Sequence, residues 1–266
     1  MAAKKAGAIA AKGYPRGVTT NSDDGIEDFL ALGEQYDVMA DIGLPLSLHG
    51  EVPTNEMYSV TNTERHFVAG TLCPIVEQHP RLKVIMEHIS TAEGVAIVLG
   101  LPDNVVGTIT AHHLELTIND VVGQSHNYCK PVASYPHDRD ALRHAVLQTR
   151  SPKLSFGSDT AWHTLQRKQS VNPPPPAGIS SALVAVELIT QLFAEAHGDD
   201  PQLPTYLANF LCRNAESFYG LEPIQDELVL IPRSFTVPMT IHRNYVPFMA
   251  GQQINWRVKG RRYDWE

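Results

Sequence analysis

Long apolar runs, paired cysteines and clusters of like charge are all missing from this 266-residue sequence. No apolar stretch reaches the roughly 18 residues that a membrane span needs, and the first residues lack the charged-then-apolar layout of a signal peptide. The expectation is a cytoplasmic chain with no membrane partner. Cysteine occurs at positions 73, 129 and 212 only, an odd number at wide spacings that makes neither a disulfide framework nor a C-x-x-C metal knuckle. Buried, reduced thiols are expected. Lysine and arginine form no runs and the formal charge is -8, which excludes a general nucleic-acid or anionic-surface binder and leaves a small-molecule partner.

What is present is a 43% hydrophobic chain long enough for a substantial core. Five short apolar or small-residue runs read as buried strands: AIAAKGY (8–14), LPLSLHG (44–50), KVIMEH (83–88), VVGTITAHH (105–113) and LSFGSDT (154–160). Helical spacing lies between them. In GIEDFLALGEQYDVMADIG, Ile26, Phe29, Leu30 and Val38 share a face, and Asp24 with Glu27 suits a capping box. DRDALRHAVLQT aligns Leu142, Ala145 and Val146. A helix is expected over 179–196, ended by Gly198, and another in PTYLANFLCRNAESFYG, burying Leu207, Phe210, Leu211 and Phe218 before Gly220. NPPPPAG (172–178) reads as a stiff loop. Strand followed by helix, at intervals of 25 to 46 residues between strand ends, predicts a parallel α/β fold, barrel or open sheet, over one domain, 1–266.

Lys12, His49, His88, His113 and Asp159 each stand within a residue or two of a strand's carboxyl end, the edge where ligands bind in such folds. Histidines and an aspartate gathered there have the donor chemistry for Zn²⁺, although a single strand-end histidine is as readily a hydrogen-bonded structural residue. A protonated Lys12 would be repelled by that ion. Either it is a surface or salt-bridged lysine, or burial lowers its pKa so that the neutral amine reacts with CO₂ to give a carbamate, a carboxylate on a long arm able to bridge two ions.

The strings AAKGYPRGVTTNSDDG, LSLHGEV, IMEHIST, GTITAHHLEL, YCKPVA, GSDTAWH and YVPFMAGQQINWRVK occur in order through nearly the whole chain. Together they resemble the homodimeric dihydroorotases of the amidohydrolase superfamily. The resemblance implies a (β/α)₈ TIM barrel, a homodimer, and reversible hydrolysis of (S)-dihydroorotate to N-carbamoyl-L-aspartate in pyrimidine biosynthesis. It implies that Lys12 is the carboxylated lysine bridging two zinc ions, that His49 and His88 ligate the second ion, and that Asp159 ligates the first and acts as general acid/base. It also places His163, Ala177 and Gly178 against substrate, with His49 and the backbone of Lys130, and puts Thr19 and Thr20 in a loop that closes over it. His112 and His113 are left as structural or supporting residues, and Trp162 as packing.

One family feature is missing: no His-x-His, the pair that supplies two ligands to the first zinc, occurs in the sequence. Lys12 belongs on the family's fourth strand, so the five runs correspond to strands four to eight, and three βα units, on the order of ninety residues, are expected to be absent. Two other readings stand beside dihydroorotase: another cyclic amidohydrolase of hydantoinase type, and an inactive remnant with a structural or interaction role.

Overall fold

The five apolar runs lie side by side as one parallel sheet in the order β1 (Ala11–Gly13), β2 (Leu46–His49), β3 (Val84–Glu87), β4 (Val105–Ile109) and β5 (Leu154–Phe156). This is the computed structural model of the chain, and it describes residues 1–242 and 244–260. Sequence neighbours pair at every step, with Lys12 opposite Ser47, Leu48 opposite Met86, and Met86 opposite Gly107. Residues of β2 and β4 are buried throughout. That is why these strands read as continuous apolar runs: a parallel sheet is covered on both faces, and its connections must cross over through helices. The architecture is the α/β strand-then-helix succession of part of a (β/α)₈ TIM barrel, five strands of it.

The crossovers supply the outer layer. Residues 63–78 are α-helical over Thr63–Phe67 and Cys73–Gln78, joined by a π turn at Val68–Leu72, and they bury Phe67, Val68, Leu72, Ile75 and Val76. Phe67 meets Phe29 edge to face, with ring centroids 5.5 Å apart. The helix Ala92–Gly100 starts on Thr91, whose hydroxyl accepts the Gly94 N–H, and buries Val95 and Val98. Pro136–Arg143, prolonged by a π turn over His144–Thr149, buries Leu142, Ala145 and Val146, as the spacing predicts. Gly50, directly after β2, lets the end of the buried Met86 side chain pack close to the backbone: a Cβ there would fall 1.9 Å from Met86 Cε and force that side chain to move.

Several local expectations need correction. Asp24 and Glu27 do not cap a helix: Ile26 is engaged as a bridge to Pro15, its N–H donating to the Tyr14 carbonyl and its own carbonyl accepting the Arg16 N–H. The helix therefore forms only at Gly33–Asp41, after a 3₁₀ turn at Leu30–Leu32. Phe29 and Tyr36 face inward, whereas Leu30 and Val38 are exposed. The helix expected from Ile179 begins at Ala185, since the Ile179 carbonyl accepts the Ala161 N–H and the Ser181 N–H donates to Thr160 Oγ1. Residues 203–219 form Leu203–Ala208, a π turn Asn209–Arg213 and Asn214–Tyr219, ending on a left-handed Gly220. Leu207 and Phe210 are buried there, while Leu211 and Phe218 are only half-buried. Of the thiols, Cys129 is buried, Cys73 partly so, and Cys212 is exposed. The 172–178 segment is a loop. Among the described residues no helix is long and apolar enough to cross a membrane.

Candidate active site

Parallel strands in register bring their carboxyl ends to one edge, and the chemistry-bearing residues converge there. The rings of His49 and His88 meet edge to face, with centroids 4.7 Å apart. His49 Nε2 lies 2.7 Å from Glu51 Oε2, and both residues are buried. A carboxylate partner fixes the proton on Nε2 and leaves Nδ1 as a free lone pair, the arrangement that commonly orients a metal-binding imidazole. His88 Nδ1 is buried without any hydrogen-bond partner. Burial drives the His88 pKa well below the usual imidazole range, helped by the charges of His49, Lys12, His113 and His112. A neutral, lone-pair-bearing imidazole is the form that binds metal.

Lys12 is solvent-accessible on the open edge of β1, yet atoms packed around its amine lower its pKa by desolvation, against the opposing pull of Glu87 and Asp159. Asp159 is likewise accessible at the mouth. Desolvation lifts its carboxyl to about 6 and Glu87 adds to the rise, while Lys12 and His49 oppose it. His88 and Asp159 both adopt positive φ, at 42° and 38°. Non-glycine residues hold such backbone only where surrounding structure enforces it, and these sites concentrate where chemistry happens.

Glu87 is a site residue that the sequence pattern did not expose. It accepts hydrogen bonds from Ser47 Oγ at 2.7 Å and from Thr108 Oγ1 at 2.6 Å, which makes it the negative neighbour of Lys12 on the sheet's inner face. Its only signal in the sequence is its place immediately before His88 on a strand.

A second set of residues forms the rim. His163 Nε2 lies 3.0 Å from the Ala177 carbonyl, and burial lowers the His163 pKa, so it is a neutral N–H donor. Gly178 has φ 142°, and a Cβ on it would fall 2.6 Å from Ala161 Cβ and 3.0 Å from His163 Nε2. The buried Lys168 donates to the carbonyls of Tyr128, Pro176 and Gly178 at 3.0, 3.1 and 2.8 Å, and the Gly178 N–H donates to the Tyr128 carbonyl at 2.9 Å. Lys168 thereby ties the loop carrying Lys130 to the loop carrying Ala177 and Gly178. Nothing in the sequence marks it, because its role depends on three backbone carbonyls from two separate loops. Thr19 and Thr20 lie in the loop after β1, pinned by an exchange in which the Thr19 N–H donates to Ser22 Oγ and the Ser22 hydroxyl donates to the Thr19 carbonyl. Trp162 is partly exposed and packs edge to face on Tyr245.

A parallel strand-and-helix sheet with lysine, histidines and aspartate along its carboxyl edge defines the amidohydrolase type of hydrolase. The L-hydantoinase of Arthrobacter aurescens shares this fold, with a TM-score of 0.75 over 97% of this chain and 65% of that one at 16% identity. No family model matches the chain. Comparison over nearly all of this chain narrows the class: a dihydroorotase of Marinomonas sp. (strain MWYL1) is 39% identical over 264 residues, which is 97% of this chain and 74% of that protein. The crystal structure of dihydroorotase from Saccharomyces cerevisiae in complex with 5-fluoroorotic acid matches with a TM-score of 0.87 and 31% identity, over 98% of this chain and 76% of that one. The chain belongs to the dihydroorotase family.

Proposed function

We propose that this chain, 1–266, is one barrel domain that carries the dihydroorotase reaction, the reversible hydrolysis of (S)-dihydroorotate to N-carbamoyl-L-aspartate in pyrimidine biosynthesis. The observation that supports it most is the convergence of Lys12, His49, His88 and Asp159 on one edge, with a buried and unpartnered His88 Nδ1. That donor set suits divalent cations. His49 and His88 would hold one zinc ion, Lys12 and Asp159 the other, with Lys12 spanning both once its neutral amine has added CO₂ at Nζ and released a proton. When bound, the ions supply Lewis acidity toward the ring amide carbonyl.

The chain's own residues do the rest. Asp159, at the strand edge beside the reacting atoms, takes the proton of the attacking water and delivers it to the ring nitrogen as the C–N bond breaks. His163, the Lys130 backbone, Ala177 and Gly178 grip the substrate, and His49 borders it. The Thr19 and Thr20 hydroxyls would close over it and exclude water. A cytoplasmic homodimer acting on a small molecule, with no nucleic-acid or membrane partner, accords with the acidic charge and the family.

The absence of His-x-His from the sequence supports a second reading, an inert structural role, because this chain offers the first ion only Lys12 and Asp159. Zinc analysis joined to an ultraviolet dihydroorotate assay on the purified chain separates the two. Two zinc ions per chain with turnover of dihydroorotate in preference to hydantoins is the expected result. At most one zinc and no turnover of either substrate would replace the proposal with the inert reading.

A further inference from the structure

Beyond the four strand-end residues, a separate set of metal-binding side chains is buried between the turn after β4 and the loop of residues 128–131. His112, His113 and Cys129 are 0%, 2% and 1% exposed, and one donor atom from each lies within 4.8 Å of the others. His113 Nε2 and Cys129 Sγ are 3.9 Å apart, and both point at the Pro131 carbonyl oxygen, at 3.0 and 3.1 Å. Tetrahedral zinc with a bond of about 2.3 Å to sulfur and about 2.0 Å to nitrogen holds those two atoms roughly 3.6 Å apart. The His113–Cys129 pair is within a few tenths of an ångström of that spacing, and the His112 donor, in a set spread over 4.8 Å, has to close by about 1 Å.

His112 supplies the independent indication. Neither of its ring nitrogens has a hydrogen-bond partner, although both are buried; one is the donor that faces His113 and Cys129, and Phe248 covers the ring from one side. Buried polar groups are almost always paired, and an imidazole orphaned at both nitrogens beside a thiol and a second imidazole is explained by a cation. His113 is prepared for the same role. Its Nε2–H donates to the Pro131 carbonyl, while Thr110 Oγ1, which accepts the His113 backbone N–H at 3.0 Å, lies 2.9 Å from Nδ1, so a shift of the ring proton to Nδ1, where Thr110 Oγ1 can accept it, frees Nε2 to ligate.

We propose that His112, His113 and Cys129, with the Pro131 carbonyl as fourth ligand, form a closed structural site for one borderline-soft divalent cation, Zn²⁺ or its surrogate Co²⁺. Binding exchanges the S–H and N–H contacts to the Pro131 carbonyl for bonds to the ion and releases one proton, from Cys129; both imidazoles stay neutral. The ion's two charges meet one from the thiolate and one from Glu51, whose carboxylate acts electrostatically on both His113 and Cys129. The site clips the turn bearing His112 and His113 to the loop bearing Lys130. It shares no ligand with Lys12, His49, His88 or Asp159, so its occupancy can be read separately from the proposed reaction.

Cobalt supplied during expression tests it, because thiolate-to-cobalt charge transfer gives a near-ultraviolet band that histidine and carboxylate ligands do not produce. Wild type should show the band and hold one more Co²⁺ per chain than Cys129→Ser, and His112→Ala should lose or weaken it. The band should persist in Lys12→Ala, which disables only the strand-end site, and in the Cys73→Ser/Cys212→Ser double variant, where Cys129 is the one thiol left. No band in wild type, or a band unchanged in Cys129→Ser, overturns the proposal. Should Cys129→Ser fail to fold, the double variant decides alone, by the presence or absence of the band.

Discussion

His49 and Glu51 are joined by a buried 2.7 Å contact that settles which imidazole nitrogen is left to bind metal. Glu51 also accepts a hydrogen bond from Thr63 Oγ1 at 2.9 Å, so the pair is anchored to the helical segment outside the sheet. Replacing Glu51 by Gln removes the charge that fixes the His49 proton on Nε2. Zinc affinity at the strand-end site should fall about 10- to 100-fold. Chelator competition against wild type measures this, and equal affinities would show that Glu51 does not orient the ligand.

Lys168 holds two rim loops through three backbone carbonyls. Lys168→Met removes the donor from the Pro176 and Gly178 carbonyls, while the Tyr128 carbonyl keeps the Gly178 N–H, and an unpaired buried acceptor costs about 1–3 kcal/mol. Denaturant midpoints should drop accordingly. If the loops position substrate, KM for dihydroorotate should rise more than kcat falls, with partial recovery in Lys168→Arg. A loss of stability with KM unchanged would limit Lys168 to a structural part.

Gly178 is confined by φ 142° and by its closeness to Ala161 and His163. Alanine there is strained both by backbone and by contact, at a cost of about 1–3 kcal/mol. His163 must shift from the Ala177 carbonyl to make room. Gly178→Ala should therefore weaken binding of orotate-like ligands as well as lower the melting temperature; undiminished binding would detach Gly178 from the substrate site.

Glu64 is fully buried beneath the loop that follows His88 and receives hydrogen bonds from the backbone and hydroxyl of both Ser90 and Thr91. Burial outweighs those bonds and pushes its carboxyl from 4.5 up to about 7. The folded state thus holds this proton more tightly than the unfolded chain. The stabilisation is complete below pH 4.5 and is lost as pH rises through about 7. Urea unfolding across pH 4.5 to 8 should show wild type weakening over that window and Glu64→Gln flatter. Parallel profiles would refute the assignment.

The strands were legible because a parallel sheet buried on both faces demands runs such as LPLSLH and VVGTI, and turn residues mark where they end. The helix before β2 was legible only in part. Its first turn lies in a bridge between Ile26 and Pro15, a long-range pairing that local periodicity does not contain. The same holds for Ile179, bound to Thr160 where the spacing predicts helix.

The sequence alone determined the α/β succession, the placement of Lys12, His49, His88 and Asp159 at strand ends, and the likeness to dihydroorotases, since period and motif are properties of the chain's order. Tertiary structure decided which groups meet. Glu87 became the counter-charge of Lys12, Lys168 the clasp of two loops, and His112, His113 and Cys129 a buried set, because each depends on atoms brought close across the sheet and on the water removed when it packs. Desolvation has no counterpart in sequence. It is the leading cause of the perturbed pKa at Lys12, His88 and Asp159, and it exists only once the chain has folded.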